Sequence, residues 1–209
     1  MFNFFKKNTV GSIENMTLIK CSDVCLKFKW HLQDIKAAGF ISSNLHKNGL
    51  LGDVMKVYSL YYSMEQALLS THIHFYNFAS YIFQDENGDN RKIKVHVGDI
   101  VEIALVENES GYARIEAIFK HHGNDEQDHV FIYVSWFEDV LKQTELLLCP
   151  IYRLQKYTND SWYRVHPIST VKSTPEISFV HNCDSRCTVD HHETSNSEYV
   201  RNEFLFTAI

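Results

Sequence analysis

The stretch that decides the fold is VHVGDIVEIALVENESGYARIEAIFKHHGNDEQDHVFIYVSWFED, Val95 to Asp139. Three segments in it read as strands: Val95–Leu105, Tyr112–Phe119 and Val130–Trp136. Each is dense in β-branched and aromatic residues and partly alternates apolar with polar positions, as a half-buried strand requires. The links carry Asn108, Gly111, Gly123, Asn124 and Asp125. These are turn formers, because glycine tolerates positive φ and Asx side chains bond nearby backbone. The reading is a three-stranded β-meander inside a mainly β, barrel-like binding module.

Outward from this stretch, QDENGDN (84–90) reads as a turn, joining a strand that ends at Phe83 to one that begins near Ile93. Before it, MKVYSLYYSMEQALLSTHIHFYNFASYIF (55–83) fits a helix through Tyr58–Leu69 followed by strands, or strands throughout. Asn15 to Asp34 mixes the two periods. The expected organisation is an N-terminal α/β segment, residues 1–90, with minor helix, packed on a β module of residues 91–209. Three prolines and eight glycines leave no long linker. The rings Tyr61, Tyr62, His72, His74, Phe75, Tyr76 and Phe78 are read as a buried packing face before a binding site.

At 209 residues, 44% hydrophobic and 13% aromatic, the chain has the material for a real core. Its formal charge of −6 is unevenly placed. Residues 1–90 balance eight basic against eight acidic side chains, whereas residues 91–209 hold twelve against eighteen. An acidic field repels phosphate backbones and attracts cations, so a basic peptide is the expected partner and direct nucleic-acid binding is not. The opening MFNFFKKNTV has too short an apolar patch for a signal-peptide core. No run of eighteen apolar residues exists, so no membrane helix is expected. Five cysteines, an odd number, point to a reducing intracellular compartment.

The ordered set VHVGDIVEI (95–103), GYARIEAI (111–118) and VFIYVSWFED (130–139) resembles bromo-adjacent homology (BAH) domains, β-rich chromatin modules that bind histone tails or partner proteins. CPIYRL (149–154) and EISFVHNC (176–183) extend the likeness weakly. The resemblance implies a nuclear, non-catalytic reader. In methyl-lysine-reading members an aromatic cage is built where this chain has Tyr112 and Trp136, with Phe137 beside them. Ring faces hold a quaternary ammonium by cation–π attraction. Where trimethyl-lysine readers place a further aromatic, two residues after the Trp, this chain has Glu138, followed by Asp139. A carboxylate there accepts an N–H from mono- or dimethyl-lysine, which suits lower methylation states. The alternative is that Tyr112 and Trp136 simply pack the sheet.

A second constellation is SFVHNCDSRCTVDHH (178–192). His181, Cys183, Cys187 and His191 supply four imidazole or thiolate ligands, enough for a structural zinc site, with His192 and His166 in reserve. The spacing is not one of the strong zinc patterns, and buried or disulfide-bonded cysteine is the alternative. Cys21 and Cys25 form a weaker pair. Catalytic signatures are thin: no phosphate-cradling glycine loop, no His-Glu-x-x-His and no nucleophile elbow. A thiol nucleophile at Cys183 beside His181 is the one enzymatic reading left. Finally, LLLCPIYRL (146–154), VHPIST (165–170), ISFVHNC (177–183) and NEFLFTAI (202–209) resemble the tails of transposon-associated reading frames of fungal genomes. That likeness implies a piece of a larger ancestor serving as a structural adaptor without a peptide pocket, with NEFLFTAI as a last strand.

Overall fold

The centre of the molecule is an antiparallel hairpin of two long strands, β5 (Ser110–His122) and β6 (Asp128–Gln143). A computed structural model of the chain describes residues 13–20, 50–63, 73–84, 90–105, 110–155, 163–172, 178–182 and 198–202. The hairpin forms because both strands are β-branched and aromatic on two faces. The polar loop between them is closed by Gly123 N–H donating to the Gln127 carbonyl at 2.8 Å. Lys120 and His122 reach Asp128 at 2.7 and 3.0 Å, and His129 reaches Asp125 at 2.9 Å.

Other strands add to both sides of this hairpin. Before it come β1 (Ile13–Lys20), β2 (Ile73–Gln84), β3 (Asn90–His96) and β4 (Ile100–Ala104). After it come β7 (Pro150–Leu154), β8 (Val165–Pro167), β9 (Phe179–His181) and β10 (Glu198–Arg201). The path of paired strands runs β1-β2-β5-β6-β7-β10-β9, with β3 on β2, β4 on β5 and β8 on β6. The protein is therefore mainly β, with one helix, α1 (Leu50–Tyr62), among the described residues. The expected meander is present as β4-β5-β6, antiparallel throughout. The barrel-like closure is not: among the described residues the sheet runs as an open path and does not return on itself.

Several boundaries also differ from expectation: the helix ends at Tyr62, short of the reading through Tyr58–Leu69, and β6 runs past Trp136 to Gln143. Val95–Leu105 is not one strand but the end of β3 and all of β4, broken at Gly98, whose φ is +100°. The Asp99 carboxylate accepts from His96 N–H at 2.7 Å, and this short-range bond outcompetes continued ladder pairing. Gly111 is no turn residue; it lies within β5.

A β-bulge between Ile115 and Ala117 sets which residues face which way. Before it Ala113 and Ile115 point to the main core; beyond it Ile118 does, while Ala117 and Phe119 turn to the opposite face. The main core joins these residues to Ile132, Val134, Trp136, Val95, Ile103, Tyr81 and Ile168. The opposite face, with Phe131 and Tyr133, is covered by α1. Val54, Val57 and Tyr58 lie one helical turn apart and are essentially unexposed, each contributing about 1.5–3 kcal/mol on burial. The helix ends where Ser63 adopts φ 56°, a left-handed C-terminal stop. The described elements that precede residue 91 pack on both faces of the meander, α1 and Ile73 on one and Ala79 and Tyr81 on the other, and β2 pairs directly with β5.

Candidate functional site

The residues expected to form an aromatic cage occupy adjacent positions in the hairpin, so their pleat parity decides where they go. Ala113 pairs with Trp136, which places the indole on the main-core face. Trp136 is 3% exposed; its Nε1–H donates to the Tyr163 carbonyl at 2.6 Å, and its ring meets His166 edge-on at 5.3 Å. A Cβ at Gly111 would come within 2.8 Å of the indole Cζ3. The missing side chain of Gly111 is what lets the ring lie flat against β5.

Tyr112, one residue from Ala113, points to the other face. There it meets Tyr152 at 5.8 Å and Phe179 at 5.6 Å between ring centroids. Phe137 lies on this same side, stacked on Phe179 at 4.5 Å and edge-on to Tyr199 at 5.3 Å. The structure therefore brings Tyr112 and Phe137 together in one cluster and leaves Trp136 on the far side of the sheet.

That cluster is assembled by the register of the small sheet β6-β7-β10-β9. Asp139 stands opposite Tyr152, Tyr152 opposite Tyr199, and Tyr199 opposite His181, a row crossing four strands on one face. Arg201 pairs with Phe179, and its guanidinium sits 4.7 Å from the centroid of the Tyr112 ring. It also hydrogen-bonds the Tyr152 hydroxyl. The Tyr152 phenol is pushed above its usual range, first by burial and then by the Asp139 carboxylate nearby. The surface is thus a group of rings with a cation on it and a carboxylate at its edge. Glu138 and Asp139 are exposed. Asp139 Oδ1 accepts from Leu141 N–H at 2.7 Å, whereas Glu138 lies on the opposite face, across from Arg153.

Of the proposed metal ligands, His181 is on β9 with its ring 5.3 Å from that of Tyr199. Cys183, Cys187 and His191 lie outside the described residues, as do Cys21, Cys25 and His192. Among the described residues no three His, Cys, Asp or Glu side chains gather as a metal site would require. His166 is 2% exposed and fully used: Nε2 donates to the Tyr163 carbonyl at 3.0 Å, so in the neutral ring Nδ1 is bare and accepts from Tyr61 Oη at 3.3 Å. Burial lowers its pKa from 6.5 to about 4. No described helix is long and apolar enough to cross a membrane.

Sequence reasoning missed Tyr152, Phe179, Tyr199 and Arg201. They sit in the short runs IYRL, SFVH and EYVR, each with one tyrosine or phenylalanine, too brief to separate from chance. Comparison of the chain with protein-family models, with curated proteins and with solved structures finds no match.

Proposed function

We propose that this chain is a non-catalytic protein-interaction module that binds a basic peptide, with a lysine-methylated histone tail as the ligand class that its likeness to BAH domains implies. One observation carries the reading: the aromatic surface of Tyr112, Tyr152, Phe179 and Phe137 holds a cation, Arg201, with the Asp139 carboxylate beside it. Such a surface attracts an alkylammonium by the same ring-face electrostatics. In this reading Tyr112, and not Trp136, supplies the ring face, and Arg201 is the residue that a ligand displaces. The acidic excess of residues 91–209 favours a basic ligand over nucleic acid, and a nuclear location accords with it.

The test is calorimetry on unmodified and mono-, di- and trimethylated histone-tail peptides against wild type, Tyr112→Ala and Arg201→Ala. The expected result is that Arg201→Ala binds tighter and Tyr112→Ala loses binding. Absence of binding by both wild type and Arg201→Ala sinks the reading. It would favour the second one, an adaptor without a peptide pocket, for which the same Arg201 argues by filling the aromatic surface itself.

A further inference from the structure

The β6-β7-β10-β9 sheet has a second face, opposite the aromatic one, and its chemistry is different. Ile151 pairs with Val200 and Val200 with Val180, an aliphatic row across three strands, with Lys142 opposite Ile151 at its β6 end. Beside it runs a charged row, Glu138 opposite Arg153 opposite Glu198, with Arg153 and Glu198 bridged at 3.2 Å. A cleft of about 760 Å³ lies over the aliphatic row, its described walls including Cys149, Ile151, Val180 and Val200.

The turn from β6 to β7 forms one rim of this cleft, and its apolar residues face outward. Leu146 is 94% exposed and Leu147 and Leu148 are each more than half exposed, as is Val180 across the cleft on β9. Single exposed leucines are ordinary, but a cluster beside an apolar cleft marks a contact surface. The turn is held in shape, not loose. Leu148 N–H donates to the Thr144 carbonyl at 3.0 Å, and Cys149 N–H donates to Thr144 Oγ1 at 3.1 Å. Leu148 sits at φ 54°, a left-handed backbone that is unfavourable for leucine and persists only where surrounding structure enforces it.

We infer that this face joins two copies of the chain in a two-fold dimer, the leucine turn of each seated in the aliphatic cleft of the other. Three features favour a second copy over another partner. Knob and cleft lie side by side on one face, so a two-fold axis satisfies both at once and the assembly closes. The four exposed side chains offer on the order of 400–500 Å² per copy, to which the cleft walls add, against the ~800 Å² a side of a standard interface. The rim carries both signs, Lys142 and Arg153 with Glu138, Glu145 and Glu198, which suits its own image better than a uniformly basic or acidic partner. Lys142 and Glu145 have no ion-pair partner among the described residues, and the two-fold axis offers each the other.

Sedimentation of the full chain across the micromolar range tests this. Wild type is expected to dimerise reversibly. Leu146→Asp combined with Leu147→Asp should weaken association by about tenfold or more, with the thermal midpoint unchanged when both proteins are melted dilute enough to be monomeric, since neither side chain is buried. Lys142→Glu or Glu145→Lys alone should weaken the dimer, and the two together should restore it. A wild type that stays monomeric, open-ended oligomers in place of a dimer, or a leucine double variant that dimerises as wild type does would each overturn the proposal. So would a charge swap that fails to rescue.

Discussion

Trp136 and Phe137 are neighbours in one strand, yet they belong to different regions of the molecule. Trp136 lies in an aliphatic core of Ala113, Ile115, Val134 and Ile168, with its one polar atom bound to the Tyr163 carbonyl. Phe137 lies in an aromatic cluster built late in the chain, where Tyr112 carries an arginine on its face. The first region has the character of a packed interior, in which shape is fixed and every polar group is matched. The second keeps a partly buried ring with an arginine on its face and one carboxylate, Asp139, at its edge. The comparison teaches that an aromatic pair read from sequence is not yet a pocket. One residue of offset, through the two-residue period of a strand, sends two rings to opposite faces.

The sharpest way to break this contrast is Trp136→Ala. If the indole is interior, its loss should cost about 3–5 kcal/mol of stability by chemical denaturation. A loss under about 1 kcal/mol would place the ring at the surface and reverse the division of roles. Acid offers the next test, through His166, which stands between Trp136 and helix α1. Its pKa is depressed in the folded state, so the unfolded chain binds the proton more readily between pH 6.5 and about 4. Stability from this group is whole above pH 6.5, falls as pH drops through that window, and changes no further below about 4. The total is on the order of 3 kcal/mol. Denaturation curves from pH 7.5 to 4, for wild type and His166→Asn, should show this slope in wild type and a flatter one in the variant. Equal slopes would mean that other groups govern acid stability.

Gly111→Ala is smaller but more specific. The new Cβ meets the indole at 2.8 Å, so either the ring or β5 must shift, at about 1–3 kcal/mol. Combining it with Trp136→Phe should recover part of that loss, because the smaller ring vacates the contact; additive effects would show that the clash is not the cause. The smallest effect belongs to the aromatic face. Tyr112→Ala removes a half-exposed ring and its Arg201 contact, worth about 0.5–1 kcal/mol, so stability should fall little. A loss as large as that of Trp136→Ala would make the two regions alike and remove the ground for assigning binding to one of them.

The sequence was a good guide wherever the deciding interactions are local. The density of Val, Ile, Tyr and Phe in 110–143, with a polar turn of Gly123, Asn124 and Asp125, was enough to place the central hairpin. It failed where one residue of register or one short-range bond decides. The Asp99 carboxylate bonded to His96 N–H broke a run that alternation alone joined into one strand. Gly111 was misread as a turn former because glycine also serves close approach, and only the position of the indole distinguishes the two uses.

What the sequence by itself determined is the class of structure and the sign of its surface. Strand formers, turn residues and an acidic second half are properties of the chain that no folding changes. What only the tertiary structure decided is which side chains meet. The bulge at Glu116 sets the parity of β5. Pairing of β6 with β8 brings the Tyr163 carbonyl to Trp136, and pairing of β7 with β10 and of β10 with β9 brings Phe179 and Arg201 to Tyr112 and Tyr199 to Phe137. Those partners are distant in sequence, and the energy of placing them is shared among many strands. No local pattern around Tyr112 or Trp136 encodes it, because a side chain's face in a sheet is fixed by register with its neighbours and not by its own identity.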